Sequence, residues 1–375
     1  MKNKEKPVCQ RGRKIFVGMS GGVDSSLTAA LLLKEGYDVT GVFIKVWQPD
    51  FVECSWREDR LDAMRVCAKL GINFLDLDLE EVYKREVFDY MIEEYKNGRT
   101  PNPDVMCNKK IKFGAFLDFA LKNGVDFVAT GHYVRLEDKK LLAGIDENKD
   151  QSYFLWTLTQ EQLKHCIFPI GQYTKPEVRK LAKKFELSTA DKKDSQGLCF
   201  VGKVDMKDFL ERFIPQKKGD VLNEKGKVIG HHDGIHYFTL GQRHGFEIIE
   251  KGTEDKPYYV VAKDLEKNIL IVSNQDKQNF TENLKRKEIK LENINWTLGE
   301  KPNFFTSSLR GDHDEAVQKK YQARIRYRQP LQECVLVEKD RIFSVVFDIP
   351  QKNVASGQSV VIYDEDICLG GGVIV

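Results

Sequence analysis

Ile15-Phe16-Val17-Gly18-Met19-Ser20-Gly21-Gly22-Val23-Asp24-Ser25-Ser26 is the stretch on which the fold class turns. Its apolar start predicts a buried strand, the glycine pair a turn, and Leu27 to Lys34 a helix, so it reads as strand, loop and helix start. Gly21 and Gly22 lack a Cβ and tolerate positive φ, which lets backbone N–H groups close around an anion at a helix N-terminus, beside the Ser25 and Ser26 hydroxyls. The Gly-Lys-Ser/Thr ending of a Walker A loop is missing, so a phosphate here is met without the usual lysine. Asp24 adds a carboxylate and with it a candidate Mg²⁺ partner. The alternative is a glycine turn that merely caps a buried helix.

Working outward, Tyr37 to Trp47 reads as a second strand, Arg57 to Leu70 as a helix, Ile72 to Leu77 as a third strand. Helices over Glu80 to Lys96 and Lys109 to Asn123 precede a fourth strand, Val125 to Thr130. This alternation predicts an α/β fold, a doubly wound parallel sheet with helices on both faces and ligands at the carboxyl ends of its strands. Beyond Phe213 the texture turns to short β-rich runs. Ile235 to Phe238 is one, and Tyr258 to Ala262 with Asn268 to Val272 reads as a hairpin. Runs at Gln322 to Arg328, Cys334 to Glu338, Ile342 to Phe347 and Ser359 to Tyr363 predict a C-terminal antiparallel β-barrel or sandwich. The polar stretch Glu300 to Lys320 reads as a mobile loop. The expected division is 1–211, a catalytic α/β domain; 212–285, a small β-rich middle domain; and 286–375, a β-barrel.

A chain of 375 residues can bury more than one core. Its net charge of +2 announces no nucleic-acid partner, so any basic surface must be local. No apolar run approaches the roughly 20 residues needed to span a bilayer, and the basic N-terminus leads into no signal-like apolar segment, so a cytoplasmic protein without a membrane partner is expected. The eight cysteines include no Cys-x-x-Cys pair, against a zinc site or a secreted disulfide scaffold. His231, His232, His236 and His244 lack acidic or cysteine partners at ligand spacing, so no fixed protein metal site is expected.

Two cysteines stand out by context. Cys107 lies near an expected helix start with Lys109, Lys110 and Lys112 close by, a setting that lowers a thiol pKa and makes a candidate nucleophile. Cys199 sits between Gly197 and Gly202, where a turn can aim amides at sulfur. Taken alone, each also reads as an inert half-buried thiol. Asp104 is a candidate general base, or equally the cap of the helix at Cys107. Arg324, Arg326 and Arg328 alternate with apolar residues, so in a strand their guanidinium groups share one face as a phosphate-binding ladder, or as an ordinary solvated face.

The loop S-G-G-V-D-S-S resembles the pyrophosphate loop of the N-type ATP pyrophosphatases. With P-N-P-D-V-M-C-N-K-K-I-K-F at Pro101 to Phe113, A-T-G-H-Y at Ala129 to Tyr133, K-D-Q-S-Y-F-L at Lys149 to Leu155, S-Q-G-L-C-F at Ser195 to Phe200, G-Q-R-H-G at Gly241 to Gly245 and A-R-I-R-Y-R-Q at Ala323 to Gln329, the chain is similar throughout to tRNA-specific 2-thiouridylases. The resemblance implies an N-terminal domain of the adenine nucleotide alpha hydrolase type and a tRNA-uridine 2-sulfurtransferase. ATP, with Mg²⁺, would sit over Gly18, Met19, Ser20, Gly21, Gly22, Val23, Asp24 and Ser25, touching Ile44 and Gly131; the family usually has methionine at the Ile44 position. Uridine 34, flipped from the anticodon, would meet Asn102, Pro103 and Asp104, and O2 of its base would be adenylated. Cys199 would carry the sulfur as a persulfide and Cys107 would complete the transfer, leaving a Cys107–Cys199 disulfide to be reduced. His132, Lys149, Asp150, Gln151, Arg326, Tyr327 and Gln358 would contact tRNA. The implied partners are tRNAs for lysine, glutamate and glutamine and an upstream persulfide donor protein, with the enzyme a monomer. Another adenylating ligase or amidotransferase of the same loop class is the alternative, and would need no cysteine pair.

Overall fold

From the N-terminus the chain runs β1 (Lys14–Gly18), α1 (Val23–Lys34), β2 (Asp38–Lys45), α2 (Trp56–Leu70) and β3 (Asn73–Asp78). Two long helical stretches follow. In the first, α3 (Glu80–Tyr83) passes through a π-helical segment, Lys84–Asp89, into α4 (Tyr90–Lys96). In the second, α5 (Pro103–Met106) passes through another, Cys107–Ala115, into α6 (Phe116–Lys122). Next come β4 (Phe127–Ala129), β5 (Val134–Glu137), β6 (Lys140–Ala143), α7 (Gln160–Leu163), β7 (Cys166–Ile167) and α8 (Lys175–Lys184). This computed structural model describes residues 12–51, 56–193, 206–249, 256–274, 286–310 and 313–375. Cys199, with Cys9 and Cys54, lies outside the described residues.

The first sheet is five-stranded and parallel in the order β3-β2-β1-β4-β7. Successive strand residues face opposite ways, so β1 builds two cores at once. Ile15 and Val17 pack with Leu27, Ala63 and Val178 under α1, α2 and α8. Phe16 points to the other face, with Val42, Val128, Phe113 and Phe116 under the α5–α6 stretch. The chain leaves β1 toward β2 and β3 and returns on the other side through β4. That reversal leaves a crevice between the carboxyl ends of β1 and β4, into which residues 19–22 and 130–133 emerge.

The middle region holds α9 (Met206–Glu211), β8 (Gly219–Leu222), β9 (Val228–His232), β10 (Phe246–Ile248), β11 (Tyr259–Asp264) and β12 (Ile269–Ser273). Its strands form a sheet in the order β10-β9-β8-β12-β11, and β11–β12 is the hairpin expected from sequence. The strand expected at Ile235 to Phe238 is instead a 3₁₀ turn over Ile235–Tyr237. Tyr237 donates its hydroxyl to the Ile214 carbonyl at 2.6 Å, and Tyr237 N and Phe238 N close locally on Gly234 O and Ile235 O, so no strand edge is needed.

The C-terminal strands are β13 (Arg286–Trp296), β14 (Phe305–Arg310), β15 (His313–Gln318), β16 (Lys320–Arg324), β17 (Gln332–Lys339), β18 (Ile342–Gln351), β19 (Ser359–Asp364) and β20 (Ile367–Ile374). Six of them run β13-β18-β17-β16-β19-β20, and β13 pairs again with β20, closing an antiparallel barrel. The β5–β6 hairpin extends this sheet through Ile367 and Leu142, tying the first region to the third. The stretch expected as a loop around 300–320 contains the two-stranded pair β14–β15, whose backbone groups satisfy one another.

Candidate functional site

The candidate nucleotide loop is shaped from within. Gly21 has φ +71°, and a Cβ there would lie 2.3 Å from Asp59 O, so glycine is required on both counts. Gly22 caps α1 with no side-chain hydrogen bond, leaving the first amides of the helix open to an anion. Ser25 and Ser26 are buried and turned inward. The Ser25 hydroxyl accepts from Ser20 N at 3.1 Å and donates to Gly22 O at 3.2 Å, and Ser26 donates to Gly22 O at 2.7 Å. These hydroxyls hold the loop's form and are not projected from it. Gly131 lies against Asp24 and Ser25 so closely that a Cβ would sit 2.8 Å from their backbone. Met19 N donates to Val42 O at 2.8 Å, continuing β1 toward the end of β2 where half-buried Ile44 stands.

The loop does have a lysine, brought from far along the chain. Lys175 Nζ lies 2.8 and 2.9 Å from the two Asp24 oxygens, and the Tyr133 hydroxyl donates to Asp24 Oδ1 at 2.7 Å. The loop's own residues still supply no lysine; the cation beside Asp24 comes from the first residue of α8. Sequence carried a signal for it. Thr174 and Glu177 form a capping box and Pro176 sits in the first turn, so Lys175 opens a helix, where the helix dipole disfavours a cation. A residue placed against its local preference is a candidate functional position. Asp24 as a Mg²⁺ ligand fits less well, because its carboxylate is already occupied. Among the described residues no cluster of three His, Cys, Asp or Glu side chains could hold a metal ion.

Asn102, Pro103 and Asp104 start the helix that carries Cys107. The cap is Asn102, whose Oδ1 accepts from Val105 N at 3.3 Å; the alternative of Asp104 as the cap is corrected, and Asp104 stands in the first turn, partly exposed. Cys107 is consequently not at a helix start but one turn inside, 4% exposed, in an apolar cluster with Tyr83, Phe88, Met91 and Ile111, against which Ile44 packs. Lys110 is drawn away to Glu86, at 2.9 Å. The remaining described cysteines, Cys67, Cys166, Cys334 and Cys368, are buried; burial pushes the thiols of Cys67 up to about 11 and of Cys334 and Cys368 up to about 12.

The arginine ladder does not form. Strand β16 ends at Arg324, the Gln329 side chain accepts from Ile325 N at 3.0 Å, and Arg328 takes φ +62°, so the chain turns where a strand was expected. Arg324 is buried with Asp150, and its guanidinium also reaches Ser152 Oγ at 3.1 Å and the Tyr363 hydroxyl at 2.7 Å. Arg326 and Arg328 are exposed. Between them Tyr327 packs on Phe154, ring centroids 4.6 Å apart, with Arg328 5.0 Å above the Tyr327 ring and its Nε donating to Asn148 O at 3.1 Å. The turn thus meets the segment carrying Lys149 and Gln151.

Asp150 and His132 are both buried. Asp150 Oδ1 accepts from Gly144 N and Ser152 N, each at 3.0 Å. His132 Nδ1 pairs with Thr130 Oγ1 at 2.7 Å, and burial holds its imidazole well below the usual range. Gln358 Nε2 donates to Thr100 O at 2.8 Å and Pro101 O at 3.0 Å, directly before Asn102. Hydrogen bonds join these groups. Tyr133, on Asp24, donates its backbone N–H to Gln151 Oε1 at 3.0 Å; Asn108, next to Cys107, donates to Phe154 O at 3.4 Å. Gly241 of the Gly241–Gly245 turn faces Asn353 of the barrel.

A doubly wound parallel sheet with an uncapped helix start at its switch point, followed by a second sheet and a closed antiparallel barrel, defines an α/β protein with two appended β regions. Three family profiles match along it: "tRNA methyl transferase HUP domain" over residues 13–203, "tRNA methyl transferase PRC-barrel domain" over 207–274 and "Aminomethyltransferase beta-barrel domain" over 286–374. The tRNA-specific 2-thiouridylase MnmA of Pseudomonas aeruginosa (strain UCBPP-PA14) is 46% identical over 373 residues, 97% of this chain and 95% of that protein. Its namesake from Francisella tularensis subsp. novicida (strain U112) is 45% identical over 374 residues, covering 97% and 99%. The chain belongs to the tRNA-specific 2-thiouridylase family. A solved 4-thiouridine synthetase–RNA complex with bound ATP overlaps 54% of this chain and 50% of that one at 18% identity and a TM-score of 0.33, too slight a likeness to carry an inference. No helix among the described residues is long and apolar enough to cross a membrane.

Proposed function

We propose that this tRNA 2-sulfurtransferase acts on the wobble uridine, number 34, and that the nucleotide loop and the Asn102–Cys107 helix start form the two sides of its site. The observation that carries the reading is the linkage of both to one short segment, residues 151–154: Asp24 through Tyr133 to Gln151 on one side, and Asn108, the neighbour of Cys107, to Phe154 on the other. ATP would lie over Gly18 to Ser25, its phosphates on the open amides of α1, with Ile44 and Gly131 as walls. Lys175 would neutralise charge that builds as pyrophosphate leaves. Mg²⁺ accompanying ATP would meet Asp24 only where Lys175 gives up the carboxylate.

Uridine O2 attacks the α-phosphate, giving the O2-adenylate and pyrophosphate. Sulfur arrives as the outer atom of a Cys199 persulfide. The Cys107 thiolate attacks the inner sulfur, forming the Cys107–Cys199 disulfide and releasing hydrosulfide, which adds at C2; AMP leaves with the oxygen. A thiol reductant then returns two electrons and two protons to the disulfide. Cys107 must come out of its apolar cluster for this, so RNA binding would open that cluster. Asp104, which does not cap the helix, stands beside the base as general base, with Asn102 and Pro103. Lys149, Arg326 and Tyr327 offer cations and an aromatic face to unstacked RNA. Asp150, His132 and Gln358 would act through the backbone they hold. The division 1–211, 212–285 and 286–375, a monomeric state, a cytoplasmic setting, a persulfide donor protein and tRNA acceptors for lysine, glutamate and glutamine complete the reading. The test is nucleoside mass spectrometry of unmodified tRNA incubated with protein, ATP, a thiol reductant and a persulfide donor that supplies sulfane sulfur to Cys199: 2-thiouridine at position 34 is expected, and its absence refutes the reading. ATP-to-AMP turnover retained in full by Cys199→Ser, with no thiouridine formed by the native chain, favours an adenylating ligase instead.

A further inference from the structure

Residues 95–101, which join α4 to the cap of α5, are held by distant parts of the chain on two sides. From the barrel, Gln358 Nε2 donates to the Thr100 and Pro101 carbonyls and Ser356 O accepts from Thr100 N at 2.8 Å. From the middle region, His236 Nδ1 lies 3.2 Å from Tyr95 O and Thr239 Oγ1 lies 3.2 Å from Thr100 Oγ1. Lys263, on β11 of the middle region, adds a third hold: its Nζ donates to Gly98 O of this segment at 2.7 Å and to Phe238 O of the middle region at 2.8 Å. Among the described residues no carboxylate pairs with it. Gly98 has φ +70° and packs on Leu265, so this carbonyl is presented by a backbone form that few residues adopt.

A partly buried ammonium without a counter-ion costs stability, and burial pushes Lys263 down to about 8 from 10.5. Such a cost is offset where the geometry of the group is used, and three N–H groups on one atom can bridge carbonyls of separate elements with charge-assisted bonds. We propose that Lys263 is a positioning residue for thiolation, fixing the Gly98 carbonyl and thereby the Asn102-capped start of the helix that carries Cys107. This rests on the reading of Cys107 as a reacting thiol. The hydrogen bonds of Lys263 go to Gly98 and Phe238 and join it to neither the nucleotide loop nor the exposed Arg326–Arg328 turn, so its effect falls on the Asn102–Cys107 helix start, and the rate of thiolation changes more than KM for tRNA.

The test compares full-length wild type with Lys263→Met and Lys263→Arg. Two readouts need no reaction: the rate at which iodoacetamide alkylates Cys107, mapped by peptide mass spectrometry, and amide hydrogen exchange over residues 98–107. Two more are the single-turnover rate of 2-thiouridine formation at saturating tRNA and ATP, and KM for tRNA. For Lys263→Met, alkylation and exchange at this helix start rise about tenfold or more while α1 is unchanged, the thiolation rate falls by about tenfold, and KM stays within about twofold. Lys263→Arg, which keeps a cation and several donors, recovers most of the loss. Unchanged alkylation and exchange in Lys263→Met overturn the proposal, as does a raised KM with an unchanged rate, which makes Lys263 an RNA contact. If no variant, wild type included, makes 2-thiouridine, the reaction reading fails, while the alkylation and exchange results still decide whether Lys263 positions the helix.

Discussion

Arg324 with Asp150 and Lys175 with Asp24 are both ion pairs between residues far apart in sequence, 174 and 151 positions, yet their surroundings differ. The side chains of the first pair are 7% and 5% exposed, and Asp150 is further saturated by Gly144, Ser152 and its hydroxyl. Those of the second are 11% and 30% exposed, and Asp24 faces a loop whose helix amides are uncapped. A pair whose every lone pair is used inside the protein can only hold the fold together. A pair that is partly exposed beside an uncapped helix start can exchange a partner for a ligand. The difference teaches that charge and spacing say little about role until the remaining hydrogen-bond capacity is counted.

Four variants can break or sharpen this contrast. Arg324→Met leaves a carboxylate buried and unpaired, so a stability loss of about 3–5 kcal/mol is expected in urea unfolding, with part recovered by adding Asp150→Asn; a native-like midpoint with lost RNA binding would place Arg324 on the other side of the comparison. Lys175→Met should change stability by no more than about 1 kcal/mol while lowering tRNA-stimulated AMP production by about 100-fold, equivalent to about 2.7 kcal/mol. Lys263, the cation without an acid, adds a third case and a pH test. Its folded pKa of about 8 lies below the 10.5 of the open chain, so between these pH values the unfolded state binds the extra proton and stability rises with pH. Relative to Lys263→Met, the wild type should gain on the order of 2 kcal/mol from pH 8 to 10.5, with the full cost present below pH 8; a flat difference would refute the buried-ammonium account. Tyr133→Phe removes one hydrogen bond from Asp24 and should cost about 1 kcal/mol, read as a roughly five- to tenfold slower AMP production with little change in the thermal midpoint.

Local patterns were legible where the physics is local. The loop at Ser20 to Ser26 follows from glycine freedom and a strand feeding a helix, and the parallel sheet from alternating elements, although β7, two residues long, carries no pattern of its own. The hairpin at Lys263 was visible from its strands; the two carbonyls its lysine holds were not. Arg324, Arg326 and Arg328 illustrate the limit. A strand period places them on one face only while the strand lasts, and β16 stops at Arg324 because Gln329 bonds back to Ile325 and the chain reverses. Likewise Asn102 and Asp104 are both good caps by residue type, and the backbone path chose Asn102.

Sequence alone determined the strand, glycine turn and helix start at residues 15–34, the parallel sheet that displays them and the family motifs, because these depend on residues a few positions apart. Tertiary structure decided that Lys175 stands on Asp24, that Arg324 is buried, that Cys107 sits inside an apolar cluster and that the segment before its helix is held by Gln358 and Lys263. Each of those joins residues scores of positions apart, and which side chains meet across such a distance is set by how the three sheets pack, a property no short window of sequence contains.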